Sequence, residues 1–519
     1  MKLNYKRTIL VGFAFFLISA FWQAYDATIP VILTNKFGMS QTLSGVIMAL
    51  DNILAVFMLP IFGALSDKCL GNKYGKRTPF ITIGTVVAAV ALFGLSFVDN
   101  AQLQNISAVS KIDDPAALGV IYDAQAGQEL MTPDGERFIL SEEFTKEQFM
   151  AITSQIADPE NSAKMNTNPD YTNYVAPARQ AYAAQATKNN PVPLILFVLL
   201  LLVILVAMAT FRSPAVALMP DVTIKPLRSK ANAVINLMGT AGGIIILVLG
   251  MVFATSAVKH QLMNYYVYYG VVAGLMLAAL AIFLVTVREK AWSQQMRDDS
   301  VRLGIEEEQN EQAGEKRKLG KAETRSLIFI LASIALWYFG YNAVTSKYAV
   351  YAGNILNMDY NTTLLLAQAA AIVAYLPAGM VASKIGRKKT IMAGVVMLTT
   401  AFACASFLRS GSSVMLMNVL FALAGIGWAT INVNSFPMVV EMCSGADIGK
   451  YTGYYYTASM SAQIVTPMLS GALMDGMGMT VLFPYAAIFA ALAFLTMAMV
   501  RHGDAKPEAK VGLEALDND

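Results

Sequence analysis

Two aspartates stand inside apolar runs, where a bilayer would make a charge costly. Asp51 lies in VIMALDNILAVF, ten residues into a long hydrophobic stretch and beside Asn52. Asp26 lies in SAFWQAYDATIP, one helical turn before Pro30 and three residues after Gln23. An ionisable side chain at membrane depth marks a functional position by default, because its charge is expensive there. A carboxyl group that alternates between low dielectric and water can exchange between its neutral and charged forms. Asp51 is therefore expected to carry a proton, with Asp26 as the second candidate; a hydrogen-bonded packing aspartate is the competing reading for Asp51. Trp22, Gln23 and Asp26 fall near one helix face at i, i+1 and i+4. Such a set suits a sugar: carboxylate and amide meet hydroxyls, while an aromatic ring stacks on the apolar face. Hydration near the outer interface is the competing account of Asp26.

Further along, LWYFGYNAV places Trp337 near mid-span, with Tyr341 and Asn342 towards the outside. Trp and Tyr usually mark membrane interfaces, and Trp337 is too deep for that role, which leaves substrate contact or packing. Asn52, Asn432, Asn434 and Gln463 are the remaining candidates for a polar lining, against the alternative of interhelical hydrogen bonds. Most of the tyrosines of YTGYYYTAS (451–459) read as interfacial anchors. Metal chemistry has little to work with. The three cysteines, Cys69, Cys404 and Cys443, are far apart, and the two histidines, His260 and His502, fall in a loop and a tail. No cofactor is implied.

These residues need long helices to position them. The chain is 56% hydrophobic and 14% charged, against about 25% charged in soluble domains. A helix needs about 20 apolar residues to cross about 30 Å of hydrocarbon, and runs this long exclude a barrel. The expected spans are 8–33, 42–65, 78–97, 192–218, 231–254, 264–287, 325–345, 362–382, 390–408, 414–437, 450–473 and 480–500. The fold class is thus an all-α membrane protein of twelve transmembrane helices. The first run is too long, and lacks a small-residue cleavage site, for a removable signal peptide. Most of the 38 basic residues fall on the inside if the N-terminus is cytoplasmic, so both termini are expected inside.

Two connections are long. The outside segment 98–191 is polar and acidic and predicts a small extracytoplasmic cap, with SEEFTKEQFMAITSQIA (141–157) as a helix behind a serine N-cap. The inside segment 288–324 is charged and predicts a partly helical linker. It joins an N-terminal half, 1–287, to a C-terminal half, 325–500, with a cytoplasmic tail at 501–519. The halves repeat each other. GALSDK…GKRTPF follows the second span and GMVASKIGRKKT the eighth, so that Gly63 answers to Gly379, Lys68 to Lys384, Gly75 to Gly386 and Lys76-Arg77 to Arg387-Lys388. Asp221 and Glu441 are matching acids after the fourth and tenth spans. Such repeats are typical of secondary transporters that rock one half against the other. Asp67 at a helix end can meet the positive N-terminus of a neighbouring helix, and Lys68, Lys76 and Arg77 can pair with Asp221, contacts suited to a gate. Arg212 can pair with Asp221 or Asp67, or face a substrate.

The 63–84 stretch resembles the loop 2–3 signature of the major facilitator superfamily. More narrowly, G-A-L-S-D-K-C followed by Y-G-K-R-T-P-F-I resembles the sucrose-transporter-like and glycoside–pentoside–hexuronide:cation symporter groups, as do Pro60, PAVALMPDV (214–222) and ANAVINLMGTAGG (231–243). The resemblance implies two pseudo-symmetric six-helix halves and secondary active transport of a small sugar, a di- or oligosaccharide, by alternating access with proton symport. It also implies residence in the plasma (inner) membrane, a functional monomer, no enzymatic step and no nucleic-acid partner. The pattern breaks at known coupling positions. Leu205 stands where plant-type sucrose symporters carry an aspartate, and Ala55 and Leu59 where melibiose-type symporters do. Coupling would then run through Asp51 and Asp26, or the protein is an uncoupled facilitator. An exporter is less favoured, because GTAGGIIILVLG has the glycines of the exporter signature without its proline. An amphiphile carrier would need an apolar side opening.

Overall fold

The computed structural model describes residues 3–69, 71, 74–158, 165–224, 227–302, 319–440, 442 and 448–502. Helices dominate. The first three are α1 (Tyr5–Asn35), α2 (Gln41–Lys68) and α3 (Thr78–Asn105). The insertion then holds α4 (Pro115–Gln125), the β1 (Glu129–Met131) and β2 (Arg137–Ile139) hairpin, α5 (Leu140–Glu143), α6 (Lys146–Met150), the antiparallel pair β3 (Gln155–Ala157) and β4 (Met165–Thr167), and α7 (Ala176–Asn189). There follow α8 (Val192–Val222), α9 (Arg228–Val252), α10 (Tyr266–Thr286), α11 (Glu289–Arg302), α12 (Lys321–Tyr351), α13 (Tyr360–Ile385), α14 (Arg387–Ala405), α15 (Val414–Val440), α16 (Ile448–Met477) and α17 (Leu482–Ala498).

Ten helices among the described residues are long and apolar enough to cross a membrane: α1, α2, α3, α8, α9, α10, α12, α14, α15 and α17. Two more long helices, α13 and α16, of 26 and 30 residues, occupy the remaining expected span positions. Several helices run past the apolar limits read from sequence because side chains cap their ends. Asn4 accepts from Arg7 N at the start of α1, Ser40 from Leu43 N at α2, and Asp359 from Asn361 N and Thr362 N at α13.

The buried side chains form three clusters. One gathers α1–α3 and α8–α10. A second gathers α12–α17 and takes in Ala27 and Val31 from α1. The third belongs to the insertion, around Ile106, Leu118, Phe149, Tyr171 and Val175. The insertion is therefore a packed unit, and its interior differs from the reading of 141–157 as one helix. Phe144 is extended and ends α5, Thr145 rather than Ser141 caps the short α6, and the chain re-enters β structure at Gln155. The capping box between Thr145 and Gln148 starts a new helix there, after the extended Phe144 has ended the first turn.

Beneath the insertion a fully buried ion pair joins the end of α1 to α3, Lys36 Nζ to Asp99 at 2.6 Å. Gln102 Nε2 adds bonds to Lys36 O (2.8 Å) and Thr187 Oγ1 (2.9 Å). A buried pair survives only when its remaining hydrogen-bonding capacity is met, and Lys36 also donates to Met263 O. The tip of the β1–β2 hairpin reaches the other half, where Pro133 O accepts from Met479 N at 2.7 Å. The bundle thus has an insertion end, and an opposite, terminal end that carries the 63–84 loop, α11, and the first and last described residues.

Candidate functional site

Midway between the two ends lies a cavity of about 610 Å³, lined by both halves. From the first half come Trp22, Gln23 and Asp26 of α1, Arg212 of α8, and Asn236 and Thr240 of α9. From the second come Tyr341 and Thr345 of α12, Gln368 and Tyr375 of α13, and Trp428 and Asn432 of α15. Tyr341 stacks flat on Trp428, with ring centroids 3.7 Å apart and planes 3° apart, and Tyr338 meets Trp428 edge-on. On the facing wall the Arg212 guanidinium sits 5.8 Å from the Trp22 ring, whose orientation is held by edge contacts to Phe21 and Tyr25. Gln368 Nε2 donates to Gln23 Oε1 at 2.6 Å and joins the halves across the cavity. Asp26 is exposed there, not merely placed near an interface. Asp51 is partly buried, accepts from Asn52 Nδ2 at 2.8 Å, and lies within electrostatic reach of Asp26 and Arg212.

At the insertion end the halves are bonded directly. Asp475 near the end of α16 accepts from the backbone N–H groups of Gln41 and Thr42, both at 2.7 Å, and so caps the N-terminus of α2 from the opposite half. Lys347, fully buried on α12, donates to Gln41 O at 2.6 Å. These bonds need α2 and α16 almost in backbone contact. A Cβ on Gly45 would collide with the Pro467 carbonyl, and one on Gly471 with the Gln41 carbonyl. Ser256 Oγ donates to Asp359 at 2.6 Å, and Thr255 Oγ1 meets Tyr360 OH at 2.8 Å. Burial opposes ionisation of Asp359, but hydrogen bonds from Ser256, Thr362 and Asn361 outweigh it and hold this carboxyl below the ordinary range.

At the terminal end the conspicuous network stays within the first half and the start of the linker that follows it. Arg77, 4% exposed, donates to Asp67 and Ser66 of α2 and, at 2.8 Å, to Asp221 of α8; Lys76 lies 3.5 Å from Asp221. The pairing of Lys76 and Arg77 with Asp221 expected from sequence is present. Glu289 of α11 takes the N–H groups of Lys76, Arg77 and Thr78 at 2.7, 2.8 and 2.7 Å, acting as a distant cap for α3. Gly75 has φ +126°, and Gly386 at the matching turn has φ +94°, which only glycine adopts without strain. Gly63 lets Ser213 of α8 approach α2 closely. Lys68 is exposed, Gly379 lies within α13, Arg387 opens α14, and Lys388 donates to Ala498 O and Val500 O. Glu441 lies outside the described residues.

Several sequence candidates sit elsewhere. Arg212 does not join the Asp67–Asp221 network, whose carboxylates meet Arg77; it lines the cavity instead. Trp337 is wholly buried in the second core, one turn before Tyr341. Asn434 is buried and bonds to Thr430 O, its own helix. Asn52, Asn342 and Gln463 are partly buried and are not among the cavity-lining residues. Tyr451 and Tyr455 are core residues rather than interfacial anchors, with Tyr455 OH bonded to Ser435. The sequence reading passed over Trp428, Gln368, Tyr375, Asn236 and Thr240. Trp428 carried the same signal as Trp337, a tryptophan too deep for an interface, and the polar residues on α9 and α13 sat in runs that looked merely weakly apolar.

A family model described as Major Facilitator Superfamily matches residues 180–376 and 359–516. The chain belongs to the major facilitator superfamily. A second family model, described as MFS/sugar transport protein, matches residues 10–105. Among curated proteins, the MFS-type transporter ppzB of Metarhizium rileyi (strain RCEF 4871) is 26% identical over 142 residues, 27% of this chain and 29% of its own length. The ppzB transporter of Metarhizium majus (strain ARSEF 297) is 28% identical over 134 residues, 26% of this chain and again 29% of its own. The alignable part thus spans under a third of these relatives. The fold is similar to that of the xylose transporter XylE from E. coli in an inward open conformation, with a TM-score of 0.55, 15% identity and 99% of each chain covered. It is also similar to the nucleoside transporter NupG, with a TM-score of 0.52, 13% identity, and 95% and 100% of the two chains covered. This superfamily member is accordingly a multi-pass integral membrane protein of the transporter class.

Proposed function

We propose that this protein moves a small sugar, of di- or oligosaccharide size, across the plasma (inner) membrane by alternating access, with proton symport through Asp51 and Asp26. The observation that carries the reading is the composition of the central cavity. A stacked aromatic pair, Tyr341–Trp428, stands on one wall, and Trp22, Gln23 and Asp26 on the other, with both halves contributing. Flat aromatic faces suit the apolar faces of sugar rings, and amides and carboxylates suit hydroxyls. The volume of about 610 Å³ lies in the usual range for a small-molecule site. With the basic loops inside, the insertion end faces outward, and the bonds from Asp475 and Lys347 to the start of α2 close that side. Movement then consists of breaking those bonds while the other ends of the halves approach. The sugar is carried and not transformed.

Uptake of labelled disaccharides into proteoliposomes, under an inward proton gradient, an inward sodium gradient or neither, tests this. The expected outcome is accumulation driven by protons alone and abolished in Asp51→Asn. Equilibration without accumulation would make the protein a facilitator. Absence of sugar movement under every gradient would overturn the substrate class.

A further inference from the structure

The insertion is attached to the two halves very unequally. Its chain leaves α3 and returns into α8, so both of its ends belong to the first half. Along α7 it is bonded there as well. Gln180 Nε2 donates to Asn35 Oδ1 at 2.9 Å, Gln102 Nε2 to Thr187 Oγ1 at 2.9 Å, and Asn105 Nδ2 to Ala186 O at 3.3 Å. The turn between α1 and α2 passes so close that a Cβ on Gly38 would collide with the backbone of Gln180 and Ala184. Val258 and Leu262, from the connection between α9 and α10, are buried in the insertion's own apolar cluster. Shared apolar burial together with paired polar groups resists separation.

Towards the second half the contacts are few and peripheral. The β1–β2 tip, 132–136, rests on the turn between α16 and α17 through the bond from Met479 N to Pro133 O. Two glycines allow this approach, at φ +97° and +88°. A Cβ on Gly135 would lie 2.6 Å from the Met477 carbonyl oxygen, and one on Gly478 2.6 Å from the Asp134 carbonyl carbon. Asp134 and Arg409 are 4.0 Å apart and each about half exposed, an ion pair that contributes little. Thr172 Oγ1 reaches Asn357 Oδ1 at 3.3 Å. Beneath the tip a cavity of about 240 Å³ lies between Met131 and Pro133 on one side and Gln41 and Asp475 on the other, so this seam is not filled like a core. When the halves part, the weaker set of contacts gives way.

We infer that the insertion is a strap. It is carried by the first half, rests its β1–β2 tip on the α16–α17 turn while the insertion end is closed, and lifts from that turn before the end opens. The inference rests on the alternating access proposed above and adds a moving contact to it. Asp475 and Lys347 hold the start of α2 directly, and the tip spans the same seam from the insertion side. Removing the tip therefore weakens closure without abolishing it.

Pairwise distances between nitroxide labels on the full-length protein in nanodiscs, without native cysteines, test this. Three exposed positions serve: Glu147 on the insertion, Lys259 on the first half and Phe407 on the second. The Glu147–Lys259 distance should be single and the same in every variant, which also reports an insertion that is folded and seated. In Asp475→Ala a longer Lys259–Phe407 distance should appear, and Glu147–Phe407 should lengthen with it. Replacing 132–136 by Asn-Gly keeps the β1–β2 pairing on a two-residue turn. Made in the Asp475→Ala background, it should raise the ratio of long to short Lys259–Phe407 distances about 3–10-fold, the worth of about one net hydrogen bond. Gly478→Ala in the same background pushes on the tip from the second half and leaves the insertion unaltered. It should act in the same direction, and it decides the matter if the shortened hairpin fails to fold. Equal ratios with the tip seated and unseated overturn the strap and leave alternating access standing. So does a Glu147 label that keeps its distance to Phe407 while Lys259 moves away. A Lys259–Phe407 distance identical in all variants overturns alternating access, and the strap with it.

Discussion

The two ends of the bundle use the same chemistry for opposite purposes. At the terminal end, Arg77 ties Asp67 and Asp221 together within the first half, and Glu289, at the start of the linker that follows it, caps α3. At the insertion end, Asp475 caps α2 and Lys347 bonds Gln41, and every one of these bonds crosses between halves. A carboxylate at a helix terminus is a strong partner in both places. What differs is which bodies it joins. A bond inside a half makes that half rigid, whereas a bond across halves selects one arrangement over another. Mutations that look alike on paper should therefore have different readouts at the two ends.

The sharpest way to break the insertion end is steric. Gly45→Val puts a branched side chain against the Pro467 carbonyl, a backbone group that cannot turn away. Nitroxide labels placed at Ser40 and Met477, in a background without native cysteines, should report ends held apart, and uptake should fall by at least about tenfold, because the closed arrangement becomes inaccessible. Removing a bond should shift the balance without forbidding it. Asp475→Ala deletes the acceptor of two backbone N–H groups, a loss of roughly 3 kcal/mol, or about 100-fold in the population closed at this end. The same labels would measure it. At the terminal end, Arg77→Gln should act on stability instead, by on the order of 2 kcal/mol, seen as a lower thermal midpoint. The distance between the insertion-end labels should hardly change; a large change would mean that this network also selects the state.

The smallest effect separates the ends by pH. Asp359 has its carboxyl held below the ordinary range by hydrogen bonds, one of them from Ser256 in the other half. A depressed value in the folded state means that its contribution is complete above the ordinary carboxylate range and is lost as pH falls through the folded value. Closure of the insertion end should therefore weaken only as pH falls below the ordinary carboxylate range and through the lowered folded value. Asp359→Asn should remove that dependence, and label distances across pH would check it.

Much of the fold could be read from the chain, because lipid enforces a local rule. Every span must satisfy its own backbone, so length and hydropathy alone located the long helices. The repeat around Gly63 and Gly379 likewise exposed two halves, and the matching turns do carry glycines with positive φ at 75 and 386. The site was legible only in part. Trp22, Gln23 and Asp26 share one helix face, and the helix period by itself brought them to the cavity together. Trp337 and Trp428 gave the same signal of depth, yet one fills a core and the other a cavity wall. Depth follows from position along a helix; facing follows from its rotation and tilt against neighbours, which packing sets.

The sequence by itself determined a membrane-embedded, two-fold repeated helical transporter and which carboxylates lie at membrane depth, because cost in hydrocarbon is a property of single residues and short windows. Only the tertiary structure decided that Arg212 faces the cavity while Arg77 takes Asp67 and Asp221, that Asp475 caps a helix more than 430 residues away, and that the insertion reaches across to the second half. Those outcomes depend on which helices become neighbours. Pairing of that kind is a competition among partners that no local pattern can resolve.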